Sequence, residues 1–198
     1  MPKLTEEGRQ SRRLQIAEAA LRCFARNGFV ATSMTDIIRE SGLSAGSIYS
    51  HFDSKAELVR FSALALLEDR GALLQHLSGG SPGVITPHRL LRRLVEQVLP
   101  EELGAVVLQL FAESARDRDL AAVVEEALEK VKGIVARELG PWAQTQEGNG
   151  RFEGVDADAV ALRMADVIMV NVHGFVLRRG LIADLDRESL LVDLLPDA

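Results

Sequence analysis

With 198 residues, 47% of them hydrophobic, the chain can bury a real core as one large domain or two small ones. A single cysteine excludes an intramolecular disulfide and a cysteine zinc site, and aromatics at 5% leave any pocket to be built mainly from aliphatic side chains. The net charge of −6 is unevenly divided: residues 1–60 carry +2 and the remainder −8, so only the first part can approach a polyanion without a long-range penalty.

No stretch alternates with period 2, and Ala, Leu, Glu, Arg and Val dominate. The expectation is an all-α fold of about nine helices, with an N-terminal three-helix bundle and a larger helical body. Residues 1–8 are polar and are expected to be disordered. They contain no apolar h-region, so no signal peptide is predicted. Apolar residues at Leu14, Ala17, Leu21 and Phe24, flanked by Ile16, Ala20 and Cys23, predict a helix from about Arg9 to Asn27. Asn27-Gly28 is a C-cap signal, and Cys23 reads as a small core residue. Arg9, Arg12 and Arg13 are expected to form a basic arm ahead of this helix, suited to phosphates or a minor groove.

Thr32 and Ser33 are N-cap candidates for a short helix over Met34–Ser41. Gly42 supplies the sharp turn, and Ser44 caps a third helix, about Ala45–Phe52. Asp53 or Ser54 caps a fourth, running to about Leu77, with Glu57 completing a capping box. Two short helices joined by a tight turn are the layout of a helix-turn-helix, whose second helix enters the major groove. Here that helix carries Ser44, Ala45, Gly46, Ser47, Tyr49 and His51, while Ile48 and Phe52 face inward against Leu21, Phe24, Ile37 and Ile38. Small residues let backbone approach DNA, hydroxyls can bond phosphates or bases, and Tyr49 and His51 suit phosphates. Alternatively, Tyr49 packs on the core and His51 is a surface histidine. Lys55 opens the fourth helix, where its charge and the nearby N–H groups would hold a phosphate, and Thr35 opens the supporting helix.

After the Gly-rich break at 78–83, further helices are predicted at about Pro87–Leu99, Glu101–Ala115 and Leu120–Leu139, the last stopped by Gly140-Pro141. A polar loop, about 144–154, precedes a long apolar helix, Asp156–Arg179, and a short final helix from Asp186 to Leu195. Arg163, Asp166, Asn171 and His173 interrupt the longest apolar run, so no membrane span is predicted and the expected location is cytoplasmic. Glu113 to Asp119 is a mixed charge run, read as a solvated helix end.

The string Ile16, Ala19-Ala20, Phe24, Gly28, Thr32-Ser33-Met34, Ile37, Ser41-Gly42-Leu43-Ser44, Gly46-Ser47-Ile48-Tyr49, His51-Phe52, Ser54-Lys55, Leu58 resembles the N-terminal domain of TetR-family transcriptional regulators. The resemblance covers about 45 residues. It implies a DNA-binding head on a helical body, a homodimer on double-stranded operator DNA, and release from that operator by a small-molecule effector. It also matches Thr35, Ala45, Gly46, Ser47, Tyr49, His51 and Lys55 to DNA-contacting positions; the slim Ala45-Gly46 pair departs from the family's usual larger polar side chains and shifts weight to DNA shape and the arm.

The expected domains are therefore 1–53 for DNA and 54–198 for ligand and dimer, linked by the helix from 54 to about 77. On the helix Asp156–Arg179, Met164, Ile168, Asn171 and Phe175 share one face, assigned to a ligand cavity opposite Phe61, Leu64, Leu108, Phe111 and Ala112. Such a pocket suits a hydrophobic or amphiphilic ligand; the alternative is that these side chains fill a solid core. Leu162, Asp166, Met169, His173 and Leu177 share the opposite face, assigned with Leu190 and Leu194 of the final helix to a dimer seam. Asp166 and His173, two turns apart, can be imagined as an acid–base pair, but a histidine satisfied at the interface is the simpler reading. No catalytic triad or Gly-rich phosphate loop stands out, His76 and His88 are too scattered for a metal, and no cofactor is called for. The competing function is an effector-independent DNA binder that recruits a protein partner.

Overall fold

The computed structural model describes residues 5–78, 84–98, 101–146, 152–182 and 186. Its helices are α1 (Glu6–Ala31), α2 (Met34–Ser41), α3 (Ala45–Tyr49), α4 (Lys55–Ser78), α5 (Pro87–Arg93), α6 (Glu101–Ser114), α7 (Arg118–Thr145) and α8 (Ala157–Leu181). A π-helical turn, Leu94–Val98, continues α5, and no strand occurs among the described residues. The fold is all-α, as expected. The predicted final helix, with Leu190 and Leu194, lies outside the described residues.

Local signals set most of the helix starts. Ser33 and Asp36 form the reciprocal capping box of α2: Ser33 Oγ accepts from the Asp36 N–H at 3.1 Å, and an Asp36 carboxylate oxygen accepts from the Ser33 N–H at 2.9 Å. Ser44, Thr86 and Asp156 cap α3, α5 and α8, each side chain accepting one N–H of the first turn. Gly42, at φ 67°, makes the αL turn between α2 and α3.

Several boundaries differ from the sequence reading, among them the end of α3, which stops at Tyr49 and not near Phe52. The start of α1 reaches back to Glu6, capped by Thr5, so Arg9, Arg12 and Arg13 lie within the helix and not on an arm before it. At the other end of α1, Gly28 is the expected break (φ 82°, ψ 162°), but one more turn follows it. Pro141 does not end α7, which runs on to Thr145. The reason is burial beyond the proline: Leu139, Trp142 and Ala143 are all enclosed, and Trp142 meets Phe152 edge-on at 6.3 Å. Burying an indole of roughly 200 Å² contributes about 5 kcal/mol, against about 3 kcal/mol for a proline inside a helix.

The helices form two compact units, Met1–Glu68 with Ala105–Glu125, and Asp69–Gly104 with Glu126–Ala198. The first therefore takes in the beginning of α4, most of α6 and the beginning of α7 besides α1–α3. Its buried side chains include Ile16, Phe24, Ile37, Ile48, Phe52, Leu58, Leu110 and Leu120. The second has an aliphatic core from Leu74, Leu90, Leu91, Leu94, Ile134, Val135, Leu139, Trp142, Ile168, Val172 and Phe175. By length and composition α8 is apolar enough to cross a membrane. Its buried stripe of Val160, Ala161, Ala165, Ile168, Val172, Phe175 and Val176 has the 3.6-residue spacing of a helix laid on a core.

Candidate nucleic-acid interface

The helix-turn-helix is rigid from beneath. Ile37, Ile48 and Phe52 are fully buried, as is Phe24 of α1, while Leu21 and Ile38 are half-buried around them. With Ile48 and Phe52 facing inward, α3 turns its remaining residues to solvent: Ser44, Ala45, Gly46 and Tyr49 are exposed and Ser47 is half-buried. Thr35, at the start of α2, is exposed too. Tyr49 keeps 50% of its surface, which rules out its packing into the three-helix core. No atom within 4 Å would meet a Cβ built on Gly46, so the bare backbone there leaves open space for a duplex to approach.

Lys55 sits in the first turn of α4, where its ammonium donates to the Val30 carbonyl at 3.3 Å. This anchors the stem and leaves two N–H donors for a phosphate. The start of α4 is held by a second network. Ser54 Oγ accepts from the Glu57 N–H at 3.1 Å, one Glu57 oxygen accepts from the Asp53 N–H at 2.9 Å, and the other takes Arg13 at 3.2 Å. The Arg13 guanidinium also lies 4.5 Å from the ring centres of both Phe52 and Phe61. Arg13 is therefore a bolt between α1 and α4, a role the expected basic arm did not allow for. Arg12, half-buried, donates to Gln15 at 2.8 Å on its own helix.

His51 is half-buried, and its Nδ1 is enclosed with no hydrogen-bond partner. Burial holds its pKa below the usual histidine value, and Arg9, Arg13 and Arg12 lower it further. Both effects favour the neutral imidazole in the free protein, and a nearby phosphate would favour its charged form. Cys23 is buried, and burial first, then Glu40, pushes its thiol pKa up, in line with a core residue. Asp117, in the charge run read as solvated, instead caps α7 by accepting from the Asp119 and Leu120 N–H groups, both at 3.0 Å, and pairs with Arg60 at 3.3 Å.

The expected ligand residues fall into the two units. Phe61, Leu64, Leu108, Phe111 and Ala112 belong to the first, with Ala112 exposed; Met164, Ile168, Asn171 and Phe175 belong to the second. Ile168 and Phe175 are buried in the second core with Met164 packed against it, while the Asn171 amide donates back to the Val167 carbonyl of its own helix at 2.8 Å. The opposite face of α8 is open at Leu162, Val170, Leu177 and Leu181, which are exposed; His173 is half-buried, and Met169, expected on this face, packs against the second core. Asp166 pairs with Lys132 of α7 at 2.7 Å. Burial lowers the His173 pKa. A cleft the sequence reading missed lies in the first unit: about 300 Å³, lined by Phe29, Val30, Lys55, Ala56, Val59, Glu113, Asp117 and Leu120. Its sequence trace is the one-turn spacing of Lys55 and Val59 on α4. Among the described residues no group of three or more His, Cys, Asp or Glu gathers to hold a metal.

Residues 16–60 match the family model for bacterial regulatory proteins of the tetR family. The chain is 38% identical over 103 residues to the HTH-type transcriptional regulator TtgR of Pseudomonas putida, a match covering 51% of this chain and 47% of TtgR. The chain spans about half the length of TtgR and of a second such relative, the probable regulator ArpR of Pseudomonas putida. Among solved structures it is similar to Salmonella enterica GusR, with a TM-score of 0.68 and 26% identity over 98% of this chain and 95% of that one. It has the same fold as Bacillus subtilis FadR in complex with stearoyl-CoA, with a TM-score of 0.65 and 19% identity over 92% and 97% of the two chains.

Proposed function

We propose, from the match of residues 16–60 to the tetR family model and the likeness to TtgR, that the chain is a TetR-family, sequence-specific DNA-binding transcriptional regulator without catalytic activity. It acts in the cytoplasm as a dimeric repressor that leaves its operator when a hydrophobic or amphiphilic small molecule binds. Residues 1–53, with Lys55 at the start of the linking helix, carry the DNA contacts, and the rest of 54–198 the ligand and dimer functions. One observation carries the reading: α3 rests on the fully buried Ile48 and Phe52 and exposes Ser44, Ala45, Gly46 and Tyr49 beside the anchored Lys55. Thr35, Ser47, His51 and Arg12 complete the proposed contact set.

Dimerisation is supported by α8, a helix that keeps Leu162, Val170, Leu177 and Leu181 exposed opposite its buried stripe. A second copy laid on that face would cover them, with His173 inside the seam. Sedimentation at micromolar concentration showing a monomer would remove this part of the proposal. Two reading heads must sit roughly 34–36 Å apart to engage successive major grooves. An effector that binds one head spacing better than another shifts the population by that difference in affinity. FadR, on the same fold, is in complex with the amphiphile stearoyl-CoA, which is consistent with an amphiphilic effector. The core packing of Ile168 and Phe175 favours the competing reading, a DNA binder without an effector at those residues.

The deciding experiment is fluorescence-anisotropy binding to the protein's own upstream intergenic DNA against a scrambled duplex, at two salt concentrations. Specific binding that weakens with salt and is lost in Tyr49→Ala with Lys55→Ala is expected. Equal, weak binding to both duplexes would overturn the DNA-reading assignment. Retained binding that no apolar ligand releases would favour the effector-independent reading.

A further inference from the structure

We propose that Gln109 of α6 is a positioning residue for the DNA-reading surface, acting through the broken end of α1. The inference rests on the DNA-reading function above. Gly28, at φ 82° and ψ 162°, interrupts the hydrogen-bond ladder of α1. The next donor, the Phe29 N–H, goes to the side-chain carbonyl of Gln109 at 2.8 Å, from a residue 80 positions later in the chain. A part-buried backbone N–H left unpaired carries a penalty, so this contact fixes where the end of α1 rests.

The seat for Gln109 is made by the glycine. A Cβ at position 28 would meet Gln109 Oε1 at 3.3 Å, and the positive φ strains any L side chain there. Phe29 is itself buried, with its ring edge-on to the fully buried Phe24 at 4.6 Å, so the grip on its backbone is a grip on the core under α2 and α3. One residue further, the Val30 carbonyl accepts the Lys55 ammonium. The segment 28–30 is thus held by Gln109 and in turn holds the lysine assigned to phosphate. Gln109 lies on α6, outside the contact set, and acts on the operator only by setting where that segment lies.

The test compares full-length wild type, Gln109→Leu and Gln109→Glu, using the upstream duplex and its scrambled control. Leu removes the acceptor at similar volume; Glu keeps a carbonyl-like acceptor in place. The expected result is operator binding about five- to tenfold weaker in Gln109→Leu, restored to within about twofold by Gln109→Glu. The slope of log K against log salt should fall by at most about one in Gln109→Leu, the share of the Lys55 contact that segment 28–30 holds, and return with Gln109→Glu. Amide exchange at Phe29 should accelerate in the Leu variant alone. Wild-type affinity in Gln109→Leu, or equal loss in both variants, would overturn the positioning role while leaving DNA reading intact. A wild-type protein that does not distinguish the two duplexes overturns DNA reading itself, and the positioning role falls with it.

Discussion

Among the contacts of the described residues, the ties between elements differ in kind from one compact unit to the other. In the first, polar ties with fixed geometry surround the core: the Ser33–Asp36 box, Arg13 on Glu57 and two rings, Arg22 and Arg26 on Glu40, Arg60 on Asp117, and Gln109 on Phe29. In the second, the core is a broad aliphatic cluster around Trp142, and Lys132–Asp166 joins α7 to α8 across its edge. Hydrogen bonds are directional and specify position, whereas apolar contacts are non-directional and tolerate repacking. A surface that must meet a duplex within ångströms calls for the first kind of construction. A body that accommodates a partner helix or an apolar ligand can be made the second way.

That contrast breaks most sharply in the cores. Phe52→Ala and Trp142→Ala each empty a buried aromatic site, and each should cost about 3–5 kcal/mol in urea unfolding. Phe52→Ala should also abolish operator binding, because α3 loses its support. In Trp142→Ala, the molecules that remain folded should keep their affinity for DNA. Equal loss of affinity in both would mean that the second unit positions the head as strongly as its own core does.

Arg13→Ala is the intermediate case. It removes a partly exposed ion pair and contacts with two aromatic faces, together about 1–2 kcal/mol. If Arg13 is a bolt and not an arm, the slope of log K against log salt stays at the wild-type value. A slope reduced by about one unit would return Arg13 to the phosphates.

The smallest effect distinguishes the two half-buried histidines. Burial depresses both pKa values, so the unfolded chain binds more protons as pH falls through the usual histidine range. The free protein therefore loses stability on acidification, through His51 and His173 alike. If His51 meets a phosphate as proposed, operator binding has the opposite sign there, because phosphate favours the imidazolium and binding takes up a proton. Between about pH 8 and about pH 6 affinity should rise, after correction for folded fraction, and the rise should vanish in His51→Gln but not in His173→Gln. A pH-independent affinity in wild type would separate His51 from the phosphates.

Caps and turns were legible because they are local. Ser33, Gly42, Ser44 and Ser54 act within four residues, and the inward pair Ile48 and Phe52 follows from helical spacing alone. The bolt and the clamp were not legible. Arg13 meets Glu57 across 44 residues and Gln109 meets Phe29 across 80, and no local pattern marks either pair. Pro141 misled for a related reason: the burial of Trp142 that outweighs its cost is tertiary. The faces of α8 were separated well enough to find the exposed stripe, but periodicity cannot tell a cavity wall from a packed core, which is where Ile168 and Phe175 lie. The amide of Asn171 could not be placed from spacing either, since its partner is the carbonyl one turn back.

The 80-residue span between Phe29 and Gln109 also sets an order in time. A ribosome adding about 5–20 residues per second needs about 4–16 s to pass from one to the other. Over that interval α1, α2 and α3 can meet through contacts between neighbours in sequence, but the clamp on the end of α1 has yet to be synthesised. The nascent head thus emerges with its recognition helix capped and its seat unfinished, and its geometry for DNA is completed only when α6 has been made.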